Sequence, residues 1–266
     1  MTSAPVNTVD LSLDLVEDLA REAGDIALGY FRNGPEVWSK GDSSPVSEAD
    51  LAVDSFLKRT LLSNHPGYGW ISEESASGPD RIAEGPVFVV DPIDGTRAFI
   101  KGEEEWAISI GIVHQSRPIA GILFCPALDT LYRVQKGEGA ERDGEALSVS
   151  NRDTLHGARA AGPRTLLNDK EFFDLSLDLQ PSIASLAYRL ALVAEGRLDF
   201  ALAKGSAHDW DLAAADLLVQ EAGGRLTGSD GKDIQYNQGT LAHPALVCSP
   251  AGHHADLCDR VAAIVA

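Results

Sequence analysis

Two aspartates at the end of a predicted strand are the residues best suited to chemistry. The stretch "VFVVDPIDGTRAF" (87–99) opens with four apolar residues and then places Asp91 and Asp94 on either side of Pro92. Because proline lacks an N–H donor, we expect the strand to end after Asp91. The two carboxylates and the Ile93 carbonyl would then offer hard oxygen ligands, which suit Mg²⁺ and not zinc.

A turn and a predicted helix start follow these aspartates. Gly95 and Thr96 would present free backbone N–H groups, which favour a phosphate or another anion. Taken singly, each acid is equally compatible with ordinary turn or capping chemistry. A metal site is favoured because acids recur at two other element boundaries: Glu73 and Glu74 follow the apolar "WIS", and Asp211 is predicted to open a helix.

The elements that must position these acids are mixed helices and strands. Helical spacing predicts a helix over 11–31, closed by "NGP", and a second helix capped by Ser47. Apolar runs predict strands at 70–72, 87–90, 106–113, 119–124 and 130–134, followed by a turn-rich segment at 136–147. The second half opens near Ser148 and contains a predicted helix at 182–195, a strand at 198–203 and a helix from Asp211 to Glu221.

Composition and charge restrict the class of partner. The chain has 266 residues, of which 40 are acidic and 22 basic, for a net charge of −18. This charge disfavours nucleic acid polymers and anionic membranes, so an anionic substrate would need local positive charge such as bound metal ions. Neither a long apolar run nor a signal sequence is seen, and we expect a cytoplasmic protein. The three scattered cysteines are expected to be buried apolar residues.

Three sequence blocks resemble the inositol monophosphatase superfamily of Mg²⁺-dependent, lithium-sensitive phosphatases. They are the acidic pair in "ISEES", the "DPIDGT" signature and "WDLAAADLLVQEAGG", and together the match covers almost the whole chain. The resemblance implies a mixed α+β and α/β fold, a layered α-β-α-β-α sandwich, and a homodimer. It divides the chain into an N-terminal half (1–147) with most metal ligands and a C-terminal half (148–266), joined as one compact unit.

The same resemblance implies a set of metal ligands and catalytic residues. The implied ligands of two or three Mg²⁺ ions are Glu73, Asp91, the Ile93 carbonyl, Asp94 and Asp211. Mn²⁺ is expected to substitute for Mg²⁺, and Ca²⁺ and Li⁺ are expected to inhibit. Thr96 and Asp50 match the pair that orients the attacking water, and Glu73 is counted with them. The backbone of Gly95 and Thr96 matches the phosphate-binding turn, with Glu74 as a supporting neighbour.

Substrate choice follows less directly from the sequence. Ser185, Lys204 and Asp211 are the expected substrate contacts, although Lys204 pointing to solvent remains open. A cation at Lys204 favours a 3'(2'),5'-bisphosphate nucleotide, and inositol 1-phosphate and histidinol phosphate remain alternative small phosphorylated substrates. Arg189 is expected at a solvated position of a core-facing helix, and His208 either touches substrate or serves the loop. A binding or regulatory protein that retains the metals is the alternative of a different class.

Overall fold

The computed structural model describes residues 11–39, 45–75 and 85–265. Residues 40–44 of the polar turn before the second helix, and 76–84 of the Gly/Pro-rich link, lie outside these ranges. The described residues form two large β-sheets, a two-stranded ribbon and seven α-helices. The mixed α and β class expected from the sequence is confirmed.

Two helices and a short ribbon form the N-terminal part. Helix α1 spans Leu13–Asn33, ribbon strands β1 and β2 span Val37–Ser39 and Pro45–Ser47, and helix α2 spans Glu48–Asn64. The predicted Ser47 cap of α2 is confirmed, because Ser47 and Asp50 form a capping box. The predicted first helix is confirmed with its bounds shifted by two residues.

The first sheet has seven strands in chain order. They are β3 Gly69–Ser72, β4 Val87–Asp94, β5 Ala107–His114, β6 Arg117–Cys125, β7 Thr130–Gln135, β8 Gly139–Arg142 and β9 Glu145–Ala146. Strand β3 runs parallel to β4, and the following strands pair antiparallel. The prediction of a turn-rich segment at 136–147 was wrong in part, since β8 and β9 lie within it.

One correction concerns the strand that carries the two aspartates. The strand β4 does not end after Asp91 but continues through Pro92 to Asp94. Its pairing with β5 shifts register between Asp91 and Asp94, which is the signature of a bulge. A bulge leaves residues outside the ladder, so the missing N–H of Pro92 is tolerated there. Helix α3, Thr96–Lys101, begins directly afterwards.

The second sheet has five strands and mixed pairing. Its strands are β10 Arg159–Ala161, β11 Asp178–Leu179, β12 Phe200–Ala203, β13 Gly224–Gly228 and β14 Leu246–Pro250, in the order β11-β10-β12-β14-β13. The helices of this part are α4 Arg164–Leu167, α5 Leu186–Ala194, α6 Asp209–Glu221 and α7 His254–Val265. Two predicted helix starts were wrong: α5 begins after a Ser185 cap, and α6 begins two residues before Asp211.

The two sheets and the helices form five layers. Helices α1 and α2 cover one face of the seven-stranded sheet, and α5 and α6 fill the space between the two sheets. The outer face of the five-stranded sheet packs against α4 and α7. This order confirms the predicted α-β-α-β-α sandwich. The three cysteines are buried free thiols, as expected, and none of the helices described is both long and apolar enough to span a membrane.

Two glycines bring helix α6 close to the first sheet. A Cβ added at Gly111 would lie 2.6 Å from the Ala213 Cβ, and one at Gly121 would lie 3.0 Å from Ala214. Larger residues at these positions would therefore push α6 away from β5 and β6. This close packing brings the first turn of α6, with Asp211, to the end of β4.

Candidate active site

A cleft of about 1000 Å³ opens at the end of β4. Its walls come from α3, the first turns of α5 and α6, and the segment that follows β12. The acids predicted from three distant parts of the sequence all line it: Glu73, Asp91, Asp94 and Asp211. The structure therefore brings these predicted residues together in one cavity.

Three of these carboxylates form a tight group. One oxygen each from Asp91, Asp94 and Asp211 lies within 4.8 Å of the other two. Asp91 and Asp94 are only 2% and 6% exposed, and Asp211 is half-buried. The bulge of β4 supplies the first two, and the third residue of α6 supplies Asp211, whose Oδ2 accepts the N–H of His208 at 2.7 Å.

Burial dominates the electrostatics of this group, and repulsion between neighbouring carboxylates adds to it at Asp91 and Asp211. Burial raises the pKa of Asp91 well above its ordinary value, and Glu73, Asp94 and Asp211 raise it further. Burial likewise raises the pKa of Asp94 to about 6, and burial followed by the charge of Asp94 raises that of Asp211. A cation bound among these oxygens would relieve the repulsion, and an all-oxygen donor set fits a hard divalent ion.

Helix α5 holds Asp94 in place. The Ser185 hydroxyl and the Ala187 N–H donate to Asp94 Oδ2 at 2.5 and 2.6 Å, while Ser185 Oγ also accepts the N–H of Tyr188 at 3.0 Å. Ser185, expected to contact substrate, is fully buried and directs its proton to a carboxylate of the cluster. Substrate contact by Ser185 remains a prediction; sequence reasoning missed its bond to Asp94.

Asp50 and Thr96, the predicted water-orienting pair, meet at the edge of the cluster. Thr96 Oγ1 lies 3.3 Å from Asp50 Oδ1 and 2.9 Å from the Ile93 carbonyl oxygen. The hydroxyl has one proton, so it donates to one of these acceptors at a time. Asp50 is fixed by Ser47, whose N–H and hydroxyl donate to Oδ2 at 2.8 and 2.6 Å. Burial raises the pKa of Asp50, against these hydrogen bonds.

Three further acidic residues near the cleft, Glu73, Glu74 and Asp209, differ in their position relative to it. Glu73 lines the cleft from the end of β3, where its N–H donates to the Val90 carbonyl at 3.2 Å, but it stands outside the 4.8 Å group. Glu74 does not line the cleft among the residues described. Asp209 is fully buried and accepts from His243 Nε2 at 2.7 Å, so Asp211, and not its neighbour, faces the cavity.

Gly95 forms the turn between the bulge and α3. Its φ is 93°, a conformation that favours glycine. An added Cβ would also lie 3.1 Å from the Ser185 N and 3.2 Å from the Glu105 carbonyl oxygen. The turn therefore requires glycine, and both Gly95 and Thr96 line the cleft. Phosphate binding by their backbone remains a prediction.

Several cations line the same cleft in this acidic protein. Lys204, directly after β12, is exposed and lines the cavity, as do Arg97 and Lys101 from α3. The predicted solvated position of Arg189 was wrong in part, because the residue is half-buried with its Nε buried, and it lines the cleft. Arg189 follows Ser185, the N-cap of α5, by four residues, so both lie on the same side of this helix. This spacing is the sequence signal that could have predicted the position of Arg189 in the cleft.

His208 lines the cleft as well, and its ring is stacked on that of Trp210. The ring centroids are 4.6 Å apart and the planes differ by 2°. His208 also caps α6. A loop role and a substrate contact therefore remain compatible for this residue.

The chain is similar to known proteins over almost its whole length. A family profile described as the inositol monophosphatase family matches residues 10–266. The 3'(2'),5'-bisphosphate nucleotidase CysQ of Aggregatibacter actinomycetemcomitans is 28% identical, with 88% of this chain and 90% of that protein covered. The histidinol-phosphatase of Mycobacterium tuberculosis is 37% identical, covering 73% and 77%. The crystal structure of extragenic suppressor protein suhB from Bartonella henselae has a TM-score of 0.83 at 25% identity, covering 94% and 97%.

Proposed function

The chain belongs to the inositol monophosphatase family and is a phosphoric monoester hydrolase; from this premise we propose that it uses Mg²⁺ and water to hydrolyse a small phosphate monoester. The observation that carries the proposal is the group of Asp91, Asp94 and Asp211, with oxygens within 4.8 Å in a cleft. These three, with Glu73 and the Ile93 carbonyl, are the proposed ligands. When bound, the ions would supply Lewis acidity that activates water and neutralises the leaving oxygen.

The chain's own residues would orient the attacking water and the phosphate. When Thr96 donates its proton to Asp50, the Thr96 oxygen keeps its lone pairs free to accept a hydrogen bond from water. The alternative bond to Ile93 directs that proton to the carbonyl instead. The N–H groups of Gly95 and Thr96 would bind the phosphate oxygens, since they lie at the start of α3 and on the cleft wall.

We propose a 3'(2'),5'-bisphosphate nucleotide as the first substrate. Lys204 supports this choice because an exposed cation on the cleft wall suits a substrate with a second anionic group. The likeness to CysQ supports it as well. Inositol 1-phosphate, which the family name suggests, and histidinol phosphate, suggested by the Mycobacterium tuberculosis relative, are the alternatives. Substitution by Mn²⁺, inhibition by Ca²⁺ and Li⁺, a homodimer and a cytoplasmic location are further proposals from the resemblance.

A comparison of initial rates tests the proposal. Adenosine 3',5'-bisphosphate, inositol 1-phosphate and histidinol phosphate would each be assayed with Mg²⁺, with chelator and with added Li⁺. We expect Mg²⁺-dependent, Li⁺-inhibited hydrolysis with the largest kcat/KM for the bisphosphate. A larger kcat/KM for either other substrate would refute the nucleotide. Absence of hydrolysis with all three, while phosphate esters still bind, would favour the non-catalytic alternative.

A further inference from the structure

Arg189 is a half-buried cation with a buried Nε, and no described residue neutralises its charge through an ion pair. Its Nε is buried without a hydrogen-bond partner, and within 11–39, 45–75 and 85–265 no carboxylate forms an ion pair with its guanidinium. The Arg152 and Arg159 guanidinium groups, by contrast, both bond Asp199. A buried charged group without such partners is costly, so its position calls for an explanation.

The groups around Arg189 do not supply that partner. Asp94 is the carboxylate that interacts electrostatically with Arg189, but its Oδ2 is occupied by Ser185 and Ala187. Cys248, on β14, is a buried thiol that also interacts electrostatically with Arg189. Burial lowers the pKa of Arg189, although Asp94 opposes this. With cations bound by the aspartates, the positive charge of Arg189 would be left with no protein counter-charge.

The position of Arg189 in the cleft indicates what it could bind. Helix side chains lean toward the helix N-terminus, which at α5 means toward Ser185 and the cavity. Helix α5 packs against β12, and Ala203 at the end of that strand and Lys204 after it line the same cleft. A guanidinium there offers a planar fork of donors, which matches phosphate or carboxylate oxygens.

We propose that Arg189 is a specificity-determining residue that binds the second anionic group of the substrate, the one that is not hydrolysed. This inference rests on the proposed function, in which the phosphate to be hydrolysed lies at the aspartates and the Gly95 turn. Arg189 then anchors the non-reacting phosphate inside the cleft, and the exposed Lys204 attracts it at the surface. The net charge of −18 repels anionic substrates from the protein as a whole. A cation inside the cleft would therefore favour the bisphosphate against this repulsion.

The test compares two nucleotides that differ only in the second phosphate. Affinities for adenosine 3',5'-bisphosphate and adenosine 3'-monophosphate would be measured by calorimetry with Ca²⁺ in place of Mg²⁺, and kcat/KM with Mg²⁺. The variants are Arg189→Gln, Arg189→Lys and, as a matched loss of one cleft charge, Arg97→Gln. We expect the unaltered protein to prefer the bisphosphate by about 10-fold or more, the size of a charge-assisted pair. Arg189→Gln should reduce that ratio to about twofold or less, Arg189→Lys should reduce it partly, and Arg97→Gln should leave the ratio unchanged.

The outcomes separate this inference from the proposed function. A preference for the bisphosphate that survives in Arg189→Gln overturns the role of Arg189 and leaves the function intact. A preference in binding that Arg189→Gln abolishes, without turnover of either nucleotide, supports Arg189 and refutes the proposed reaction. Equal affinity for both nucleotides in the unaltered protein overturns the role of Arg189 and the choice of the bisphosphate as substrate, whereas hydrolysis of another monoester is decided by the rate comparison.

Thermal unfolding of the Arg189 variants distinguishes substrate binding by Arg189 from a merely structural role. Removal of a half-buried charge that has no ion pair should leave the melting temperature nearly unchanged or raise it. A marked decrease in both Arg189 variants, with the specificity ratio unaltered, would show that Arg189 serves packing only. If Arg189→Gln does not fold, Arg189→Lys decides: an unchanged ratio in that variant overturns the proposal.

Discussion

Buried carboxylates occur in two regions of this molecule with opposite surroundings. In the cleft, Asp91 and Asp94 lie beside a third aspartate, and no described arginine or lysine forms an ion pair with them. Immediately before β12, Asp199 accepts hydrogen bonds from Arg159 at 2.7 to 3.1 Å and from Arg152 at 3.2 Å. One region concentrates negative charge and the other neutralises it.

The pKa directions of the two regions differ for the same reason. Burial works to raise the pKa of Asp199, but hydrogen bonds from Arg159 lower it well below its ordinary value. In the cleft, burial and repulsion act together, so the pKa of Asp91 rises. The chain itself supplies arginines that neutralise Asp199. The cleft acids have no such counter-charge from the described residues, which leaves a cationic ligand to neutralise them.

The largest expected effect comes from removing one cleft charge. Asp94→Asn should lower kcat by at least about 1000-fold, since loss of Lewis-acid stabilisation costs several kcal/mol of barrier. Its melting temperature in chelator should not fall, because repulsion with Asp91 and Asp211 is relieved. Phosphate-release assays and thermal unfolding measure both. Loss of activity that simply follows loss of folded protein would contradict the comparison.

The next largest effect is expected from added Mg²⁺, which should act on the cleft acids and not on Asp199. If the cleft acids are ligands, Mg²⁺ at 100 times its Kd should raise the free energy of unfolding by about 2.7 kcal/mol. Calorimetric melting with Mg²⁺ and with chelator checks this. The stabilisation should vanish in Asp94→Asn and persist in Asp199→Asn. Equal stabilisation of both variants would place the binding site elsewhere.

The sequence predicted the cleft acids because their signals are local. The proline, the turn and the helix start lie within a few residues of Asp91 and Asp94, and Asp211 follows a tryptophan at a helix start. The continuation of the strand through Pro92 was not predictable in this way. It depends on how β5 pairs across the bulge, from Asp91↔Ser109 to Asp94↔Ala107.

Contacts made across the chain were the ones that sequence reasoning missed. Ser185 bonds Asp94, which is 91 positions earlier, and this becomes visible only when α5 packs at the end of β4. The inward position of Arg189 depends on the same packing. In the segment at 136–147, glycine and charged residues are typical of turns. The short strand β8 forms because β7 offers it a partner edge, and β9 then pairs with β8.

A third prediction concerns Asp199 and the arginines that neutralise it. Asp199→Asn should destabilise the protein by about 1–3 kcal/mol, because charge-assisted bonds from partly exposed arginines are lost. Specific activity of the folded fraction should be unchanged. Asp174, which is exposed and lies 2.8 Å from Arg260, provides a control: Asp174→Asn should cause no measurable change. A similar loss in both variants would mean that burial does not distinguish these pairs.

Asp216 sharpens the comparison, because it is a buried carboxylate whose hydrogen-bond partners are both neutral. It accepts from Tyr236 at 2.9 Å and from Gln220 at 2.8 Å, and burial raises its pKa from 3.8 to about 6. The folded state therefore binds a proton more tightly than the unfolded state, so stability is lost as pH rises from about 4 to about 6. Asp216→Asn removes this titration, and its stability relative to the unaltered protein should increase by about 1–3 kcal/mol between pH 4 and pH 8. Urea unfolding at both pH values, with chelator present, measures the difference; a constant difference would show that Asp216 remains ionised like Asp199.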